Sequence, residues 1–125
     1  MDVTPQIPEG RQVIETYGDG RFRISGRVYE GSVIVFPERA LNWPVARFQE
    51  LSADSLSEIT AAADALDVVL LGCGQKMGLV PREIRESLRQ AGVVIEPMDT
   101  GAAARTYNVL MAEERRVAAA LIAVE

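Results

Sequence analysis

The sequence predicts an α/β fold with an antiparallel β N-terminal half and a strand-helix-strand C-terminal half. Between residues 12 and 36, short runs alternate polar with apolar side chains and are separated by glycine-containing turns, a pattern typical of antiparallel strands. Later in the chain, an apolar run at 68–71 and another at 93–96 flank an amphipathic helical segment. A chain of 125 residues fits one domain, so we assign residues 1–125 to a single domain and residues 1–10 to a loosely ordered N-terminal arm.

In the N-terminal half, a Gly-Asp-Gly turn predicts a hairpin whose second strand is 21–24. Phe22 and Ile24 alternate with arginines there, so we expect both to face the core. The next apolar run, 27–36, is interrupted by Gly31, which predicts a bend or a close backbone contact.

The C-terminal half predicts helices alternating with strands. Residues 52–63 are typical of an amphipathic helix capped by its first serine or aspartate. The continuous apolar run 68–71 predicts a central strand that is buried on both faces. Pro81 is placed to begin the next helix and Gly92 to end it, before a strand at 93–96. The two strands should therefore be parallel.

The last helix should begin at Asp99 or Thr100, either of which can cap it. Tyr107, Leu110 and Met111 recur at helical spacing and mark its buried side. Propensity alone would continue this helix to Leu121, because the intervening residues are mostly alanine, and the periodicity there is ambiguous.

Composition excludes several classes of function. A net charge of −5 argues against a surface that binds nucleic acid. The chain has no histidine, which removes Ser-His-Asp triads and histidine metal ligands. Its one cysteine cannot form an internal disulfide or a multi-cysteine zinc site. We therefore expect no cofactor and no metal. Residues 1–10 do not have the pattern of a signal peptide and no apolar run approaches transmembrane length, so we expect a cytoplasmic protein without direct membrane insertion.

The turn formed by Gly72, Cys73, Gly74 and Gln75 is the first part of a candidate ligand or partner site. It follows a predicted parallel strand, and ligands often bind at the carboxyl ends of such strands. Its two glycines would let backbone N–H groups approach an anion. However, the spacing is neither that of a Walker loop nor GxGxxG. The alternative is a tight strand exit that needs glycine for close packing.

The remaining candidates follow the second strand. Asp99 could cap the helix or pair with Arg105 to hold a polar site. Arg105 and Asn108 are three residues apart and can share one helical face, so we expect them to face the glycine turn. Tyr107 should instead point inward with its hydroxyl hydrogen-bonded. Cys73 is expected to be a small buried thiol, although a helix N-terminus nearby could make it reactive.

Nearly the whole chain resembles a small domain family of unknown biochemical activity. The family includes the mitochondrial respiratory complex I assembly factor 3 and the adipogenesis-associated domain protein. The resemblance spans residues 18–122. It is carried by Trp43, Leu70, Leu71, Gly72, Cys73, Gly74, Pro81, Gly92, residues 93–96, Asp99, Thr100, Ala104, Tyr107, Asn108, Leu110, Glu113 and residues 117–122.

The resemblance implies a three-layer β/β/α arrangement around a mixed sheet. It also implies that residues 116–124 form a strand rather than more helix. The family often has glycine at the position of Glu114, where the preceding helix would end, and threonine at the position of Cys73. Thiol chemistry at Cys73 would therefore be particular to this chain.

Two functional hypotheses remain. The resemblance favours a non-catalytic protein-interaction or assembly factor of the complex I type. It would bind respiratory-complex subunits or membrane-insertion machinery, and a protein partner would hold it at the periphery of the inner membrane. The alternative is a small-molecule or anion-binding domain, or a weak enzyme, with its site at the glycine turn.

Overall fold

The computed structural model describes residues 10–125, which form eight strands and three α-helices. The predicted arm, 1–10, lies outside the described residues apart from Gly10, and the single-domain assignment for 1–125 stays a prediction. The elements in chain order are β1 (Ile14–Gly18), β2 (Arg21–Ile24), β3 (Arg27–Glu30), β4 (Val33–Val35), β5 (Ala40–Asn42), α1 (Ser57–Ala61), β6 (Val68–Gly72), α2 (Arg82–Gln90), β7 (Val94–Met98), α3 (Thr100–Ala112) and β8 (Val117–Leu121).

Strands β1, β2 and β3 form an antiparallel sheet of three strands in that order. In both of its turns the two residues that connect the strands have positive φ, as in the tight hairpin turns that match the twist of a sheet. Phe22 and Ile24 are almost completely buried, which confirms their predicted direction. Charged and apolar side chains alternate along β2, so one face of this sheet packs against the core and the other faces solvent.

Gly31 lies where the chain leaves the first sheet for the second. Its φ is +81°, in the left-handed region that favours glycine. Strand β3 pairs only with β2 among the described strands, whereas β4 pairs with β5 and β8. The predicted bend at Gly31 is thus confirmed.

The second sheet is mixed and has the strand order β5-β4-β8-β6-β7. Strands β6 and β7 are parallel, as predicted, and β8 joins the sheet parallel to β6 and antiparallel to β4. All five residues of β8 are buried. Helix propensity therefore gives the wrong expectation for this alanine-rich segment. A strand packed on both faces needs small side chains, and tertiary burial outweighs the preference of alanine for helices.

The five-stranded sheet is the central layer, and its two faces bury separate sets of side chains. One face packs against α1 and α2. The other packs against α3 and the three-stranded sheet. Strand β6 shows the division, because Val69 and Leu71 face the first cluster and Leu70 faces the second. The predicted three-layer β/β/α arrangement is confirmed.

The helix predicted at 52–63 is mostly absent. Helix α1 has five residues and lies between two 3-10 turns. The Oγ of Ser52 does accept a hydrogen bond from the N–H of Ser55 at 3.1 Å, but this closes a turn before the helix. Leu56 and Ile59 are fully buried. Burial of these two side chains needs only one regular turn, so the apolar spacing overstates the helix length.

Helices α2 and α3 end in the same way, with a residue in the left-handed region. Gly92 has φ of +88° after α2 and Glu114 has φ of +61° after α3. In each case the following N–H reaches back to the last turn, from Val93 to Leu88 and from Arg115 to Leu110, at 2.9 Å. These are Schellman motifs, which usually have glycine at that position. The stop predicted at Gly92 is confirmed, and Glu114 ends α3 without glycine.

Among residues 10–125, no helix is long and apolar enough to span a bilayer.

Candidate functional site

The glycine turn joins the ends of two parallel strands to the start of α3. It follows β6, and the N–H of Cys73 donates to the carbonyl of Met98, the last residue of β7, at 2.8 Å. The N–H of Gly74 donates to the Oγ1 of Thr100 at 2.9 Å, and the N–H of Thr100 donates to the carbonyl of Gly74 at 2.9 Å. The turn and the first residue of α3 are therefore connected in both directions.

The side chain of Thr100 is fully buried and connects three segments. Its hydroxyl accepts from Gly74 and donates to the carbonyl of Ile122 at 2.7 Å. A Cβ on Gly72 would lie 3.0 Å from both the Cα and the Oγ1 of Thr100, and 2.9 Å from Leu121. Gly72 is thus required for close packing, which is the structural alternative that the sequence left open.

The helix start next to this turn is capped by Asp99. Its carboxylate accepts a hydrogen bond from the N–H of Ala102 at 2.9 Å, so Asp99 is the cap and Thr100 is not. Ligands of open α/β sheets tend to bind between strand ends such as those of β6 and β7. Here the N–H groups of Cys73 and Gly74 are already used within the protein, so two donors of the anion-binding alternative are occupied.

An open groove of about 450 Å³ lies on the other side of the glycine turn. Its lining comes from residues 46–49, 73–76, 78 and 122–123, and we call it the glycine-turn groove. The loop that follows the turn exposes Met77 and Leu79, which are 60% and 85% accessible. Phe48, half-buried, contributes an aromatic ring to the wall. Met77 and Leu79 flank the groove without lining it, so the groove and the loop beside it together offer an apolar surface that a protein segment could bury.

Gly78 holds the loop against that ring. A Cβ at Gly78 would lie 2.8 Å from two ring atoms of Phe48, so only glycine lets the backbone approach so closely. The backbone of Gly78 also lies close enough to the thiol of Cys73 to lower its pKa. Gly78 thus anchors the exposed loop on the body of the protein, next to Phe48 and Cys73.

Cys73 lies beneath this loop and is 6% exposed. Burial raises the pKa of its thiol, and the charge of Asp99 raises it further, while hydrogen bonds from the Gly78 and Met98 backbone oppose the change. The protonated thiol donates to the carbonyl of Leu71 at 3.7 Å. These features match the expected buried thiol, because a reactive cysteine needs a lowered pKa and access to solvent.

Arg105 and Asn108 do not face the glycine turn, which corrects the expected grouping. They share one face of α3, as predicted, but that face lies against β1. Arg105 donates to the hydroxyl of Tyr17 at 2.7 Å. The amide of Asn108 both accepts from the N–H of Ile14, at 3.0 Å, and donates to its carbonyl, at 2.8 Å. Asn108 thus provides the hydrogen-bond partners for the N–H and the carbonyl of Ile14 that a neighbouring strand would otherwise provide.

Of the predicted residues, the structure brings together Gly72, Cys73, Gly74, Gln75 and Asp99, and it separates Arg105 and Asn108 from them. The hydroxyl of Tyr107 donates to the carbonyl of Gln12 at 2.9 Å, which confirms its predicted inward direction. In the part of the chain that the structure describes, no three acidic or thiol side chains cluster so that they could hold a metal ion.

Sequence reasoning missed the exposed apolar residues of the loop. Met77 and Leu79 alternate with Gly78 in a segment that belongs to no helix or strand. The sequence did contain one signal for an exposed apolar surface here. Two large apolar residues lie in a glycine-containing loop, outside any periodic pattern.

Comparison with known proteins finds a match to a family model described as a protein of unknown function (DUF498/DUF598), over residues 14–122. An uncharacterised protein of Rhodobacter capsulatus is 39% identical over 113 residues, which cover 90% of this chain and 86% of that protein.

A second relative is named NADH dehydrogenase [ubiquinone] 1 alpha subcomplex assembly factor 3, from Xenopus tropicalis. It is 34% identical over 109 residues, which cover 87% of this chain but only 60% of the relative's length. Among solved structures, an outer membrane protein from Bartonella henselae superposes with a TM-score of 0.88 at 36% identity. The match covers 93% of this chain and 98% of that one.

Proposed function

This chain belongs to the DUF498/DUF598 family, and we propose that it is a non-catalytic assembly factor that binds a protein partner through the glycine-turn groove. Relatives that are named assembly factors of NADH dehydrogenase support a role in building a respiratory complex. Their similarity to this chain extends over most of its length but only part of theirs, so the role is carried over by analogy.

The observation that carries the proposal is the exposure of Leu79 at 85% beside an open groove. An exposed leucine costs free energy in water, and burying it in an interface recovers about 1.5–3 kcal/mol. Met77 adds a second apolar side chain that can adapt to the shape of a partner. The same groove is lined by Cys73, Gly74 and Gln75 of the turn that the sequence singled out.

The proposed partners are respiratory-complex subunits or membrane-insertion machinery. We place the protein in the cytoplasm, held at the inner membrane by that partner rather than by insertion of its own helices.

Co-purification from the native host tests the proposal. The tagged protein is compared with Leu79→Asp and with a matched control, Val28→Asp, which changes an apolar residue that is 50% exposed on the three-stranded sheet. We expect wild type and the control to retain respiratory-complex subunits after mild cross-linking, and Leu79→Asp to lose them. Thermal unfolding of all three proteins separates lost binding from lost folding.

Two results would contradict the proposal. If wild type enriches no respiratory-complex or insertion protein, the assembly role fails. If Leu79→Asp retains the same partners as wild type, the role stands but the groove is not the binding surface.

A further inference from the structure

We propose that the partner segment bound in the glycine-turn groove is acidic and apolar, with a carboxylate beside Lys76 and an apolar side chain against Met77 and Leu79. This inference rests on the proposed function, because it names the chemistry of the partner that the same groove would take.

The charge of the groove is opposite to that of the whole chain. The chain has 18 acidic and 13 basic residues, for a net charge of −5. Arg47 and Lys76 line the groove, and no aspartate or glutamate does. A basic groove in an acidic protein is complementary to an acidic segment and less so to a basic one.

Two carboxylates that lie near groove residues, Glu50 near Arg47 and Asp99 near Cys73, already have backbone partners. Glu50 accepts a hydrogen bond from the N–H of Ala46 at 2.7 Å and lies 3.8 Å from Arg47, a long and exposed ion pair. Asp99 accepts from the N–H of Ala102. Since exposed pairs of this length contribute little, Arg47 can interact with an incoming carboxylate at small cost.

Lys76 is the only lysine of the chain, and it is exposed in the groove loop. It makes no ion pair with any of residues 10–125. Met77 directly follows Lys76, and Leu79 is three residues after Lys76, so a positive charge and two exposed apolar side chains belong to the same short segment. A partner that satisfies both needs a carboxylate close to an apolar side chain.

The loop is held in place before any partner binds. Gly74 is hydrogen-bonded to Thr100 at one end, and Gly78 lies against the ring of Phe48 in the middle. A surface that is ordered in advance loses less conformational entropy on binding. The positions of Lys76 and Leu79 relative to each other are therefore part of what the partner must match.

Two short acetylated peptides test the chemistry directly, one of alternating glutamate and leucine and one of alternating lysine and leucine. The net charge of the protein would attract the lysine peptide, so preference for the glutamate peptide must come from a local site. We expect the glutamate peptide to shift the amide NMR signals of Gly74, Lys76 and Gly78 and to bind about 10-fold more tightly than the lysine peptide.

Charge reversal supplies the matched controls. Arg47→Glu with Lys76→Glu should abolish this preference. Arg21→Glu with Arg27→Glu makes the same change in net charge on the three-stranded sheet and should preserve it.

Carbodiimide coupling gives a second readout, because it joins a carboxylate to a primary amine in contact with it. Lys76 is the only side-chain amine, so an amide bond between Lys76 and the glutamate peptide, mapped by mass spectrometry, reports contact in the groove. Lys76→Arg should remove the bond while peptide binding persists, because the charge remains.

Equal binding of the two peptides, a preference for the lysine peptide, or shifts of the same signals on dilution without peptide would overturn the inference. The last result would mean that the groove binds a second copy of this chain. If Leu79→Asp loses the cellular partners but charge reversal does not, the acidic chemistry is wrong and the assembly role stands. If the glutamate peptide binds but no respiratory-complex subunit is captured, the assembly role fails and the acidic chemistry stands.

Discussion

The two ends of α3 are held by opposite means. At its start, Asp99 caps the helix, Thr100 is buried, and Gly72 packs against the first residue at a distance that leaves no room for a methyl group. At its end, Glu114 adopts a left-handed conformation that costs a residue with a Cβ about 1–2 kcal/mol. The start of α3 depends on the side chains of Asp99 and Thr100 and on the lack of a side chain at Gly72. The end of α3 instead tolerates a glutamate in a backbone conformation that favours glycine.

The difference agrees with what lies next to each end. The start of α3 supports the glycine turn and, through it, the proposed partner groove. The end lies among the exposed charges of residues 113–116. We therefore expect substitutions at the start of α3 to destabilise the protein. We expect glycine in place of Glu114, at the end of α3, to stabilise it.

Gly72→Ala should have the largest effect. The new methyl group would meet the backbone of Thr100 at 3.0 Å, which cannot move without shifting α3, so we expect a loss of about 3 kcal/mol in the free energy of unfolding. Urea denaturation measures it. Gly101→Ala is the control, because the nearest atom there is the hydroxyl of Tyr17 at the tip of a half-exposed side chain that can turn away. Similar losses for both variants would show that the start of α3 is not closely packed.

Thr100→Val should cost about 2 kcal/mol, because it keeps the shape of the side chain but leaves the N–H of Gly74 and the carbonyl of Ile122 without their partner. Faster amide hydrogen exchange at Gly74 would accompany the loss. The control, Thr16→Val, changes an exposed threonine of β1 and should stay within about 0.5 kcal/mol of wild type. An unchanged exchange rate at Gly74 would contradict the role given to the hydroxyl.

Asp99→Ala should cost about 1 kcal/mol, since one N–H of the first turn loses its acceptor. Thermal unfolding can measure this. Asp99→Asn keeps a capping oxygen and should recover most of the loss. If the alanine and asparagine variants are equally destabilised, the carboxylate acts through its charge rather than as a cap.

Glu114→Gly should have the smallest effect and the opposite sign. Glycine removes the strain of the left-handed conformation, but it also increases the freedom of the unfolded chain, so we expect a net gain of about 0.5–1 kcal/mol. Glu114→Ala is the control, because alanine has the same strain and should bring no such gain. A loss of stability with glycine would mean that the two ends of α3 are equally well adapted.

Much of the fold could be predicted from the sequence because its signals are local. Gly92 as a helix stop and Phe22 as a core residue each depend on neighbours within one turn or strand. The length of the helix at 52–63 could not be predicted from spacing, because burial of Leu56 and Ile59 is satisfied by a single turn. Strand β8 required the family resemblance, since alanine favours helices in the absence of tertiary contacts.

The candidate site was predicted only in part. The glycine turn and Asp99 follow consecutive parallel strands, so their proximity follows from topology. The direction of Arg105 and Asn108 depends instead on β1, about 90 residues earlier in the chain, and helical spacing contains no information about which element covers a face. Leu79 lies in a loop without periodicity, where only the structure distinguishes an exposed leucine from a buried one.

The position of β8 also has a consequence for synthesis of the chain. This strand is made after the other seven, yet it lies between β4 and β6 in the five-stranded sheet. Until residues 117–121 have left the ribosome, no strand joins the β4-β5 pair to the β6-β7 pair. The nascent chain therefore carries two unprotected strand edges, which are prone to pairing with other chains. Closure of this sheet can occur only after residues 117–121 have been made.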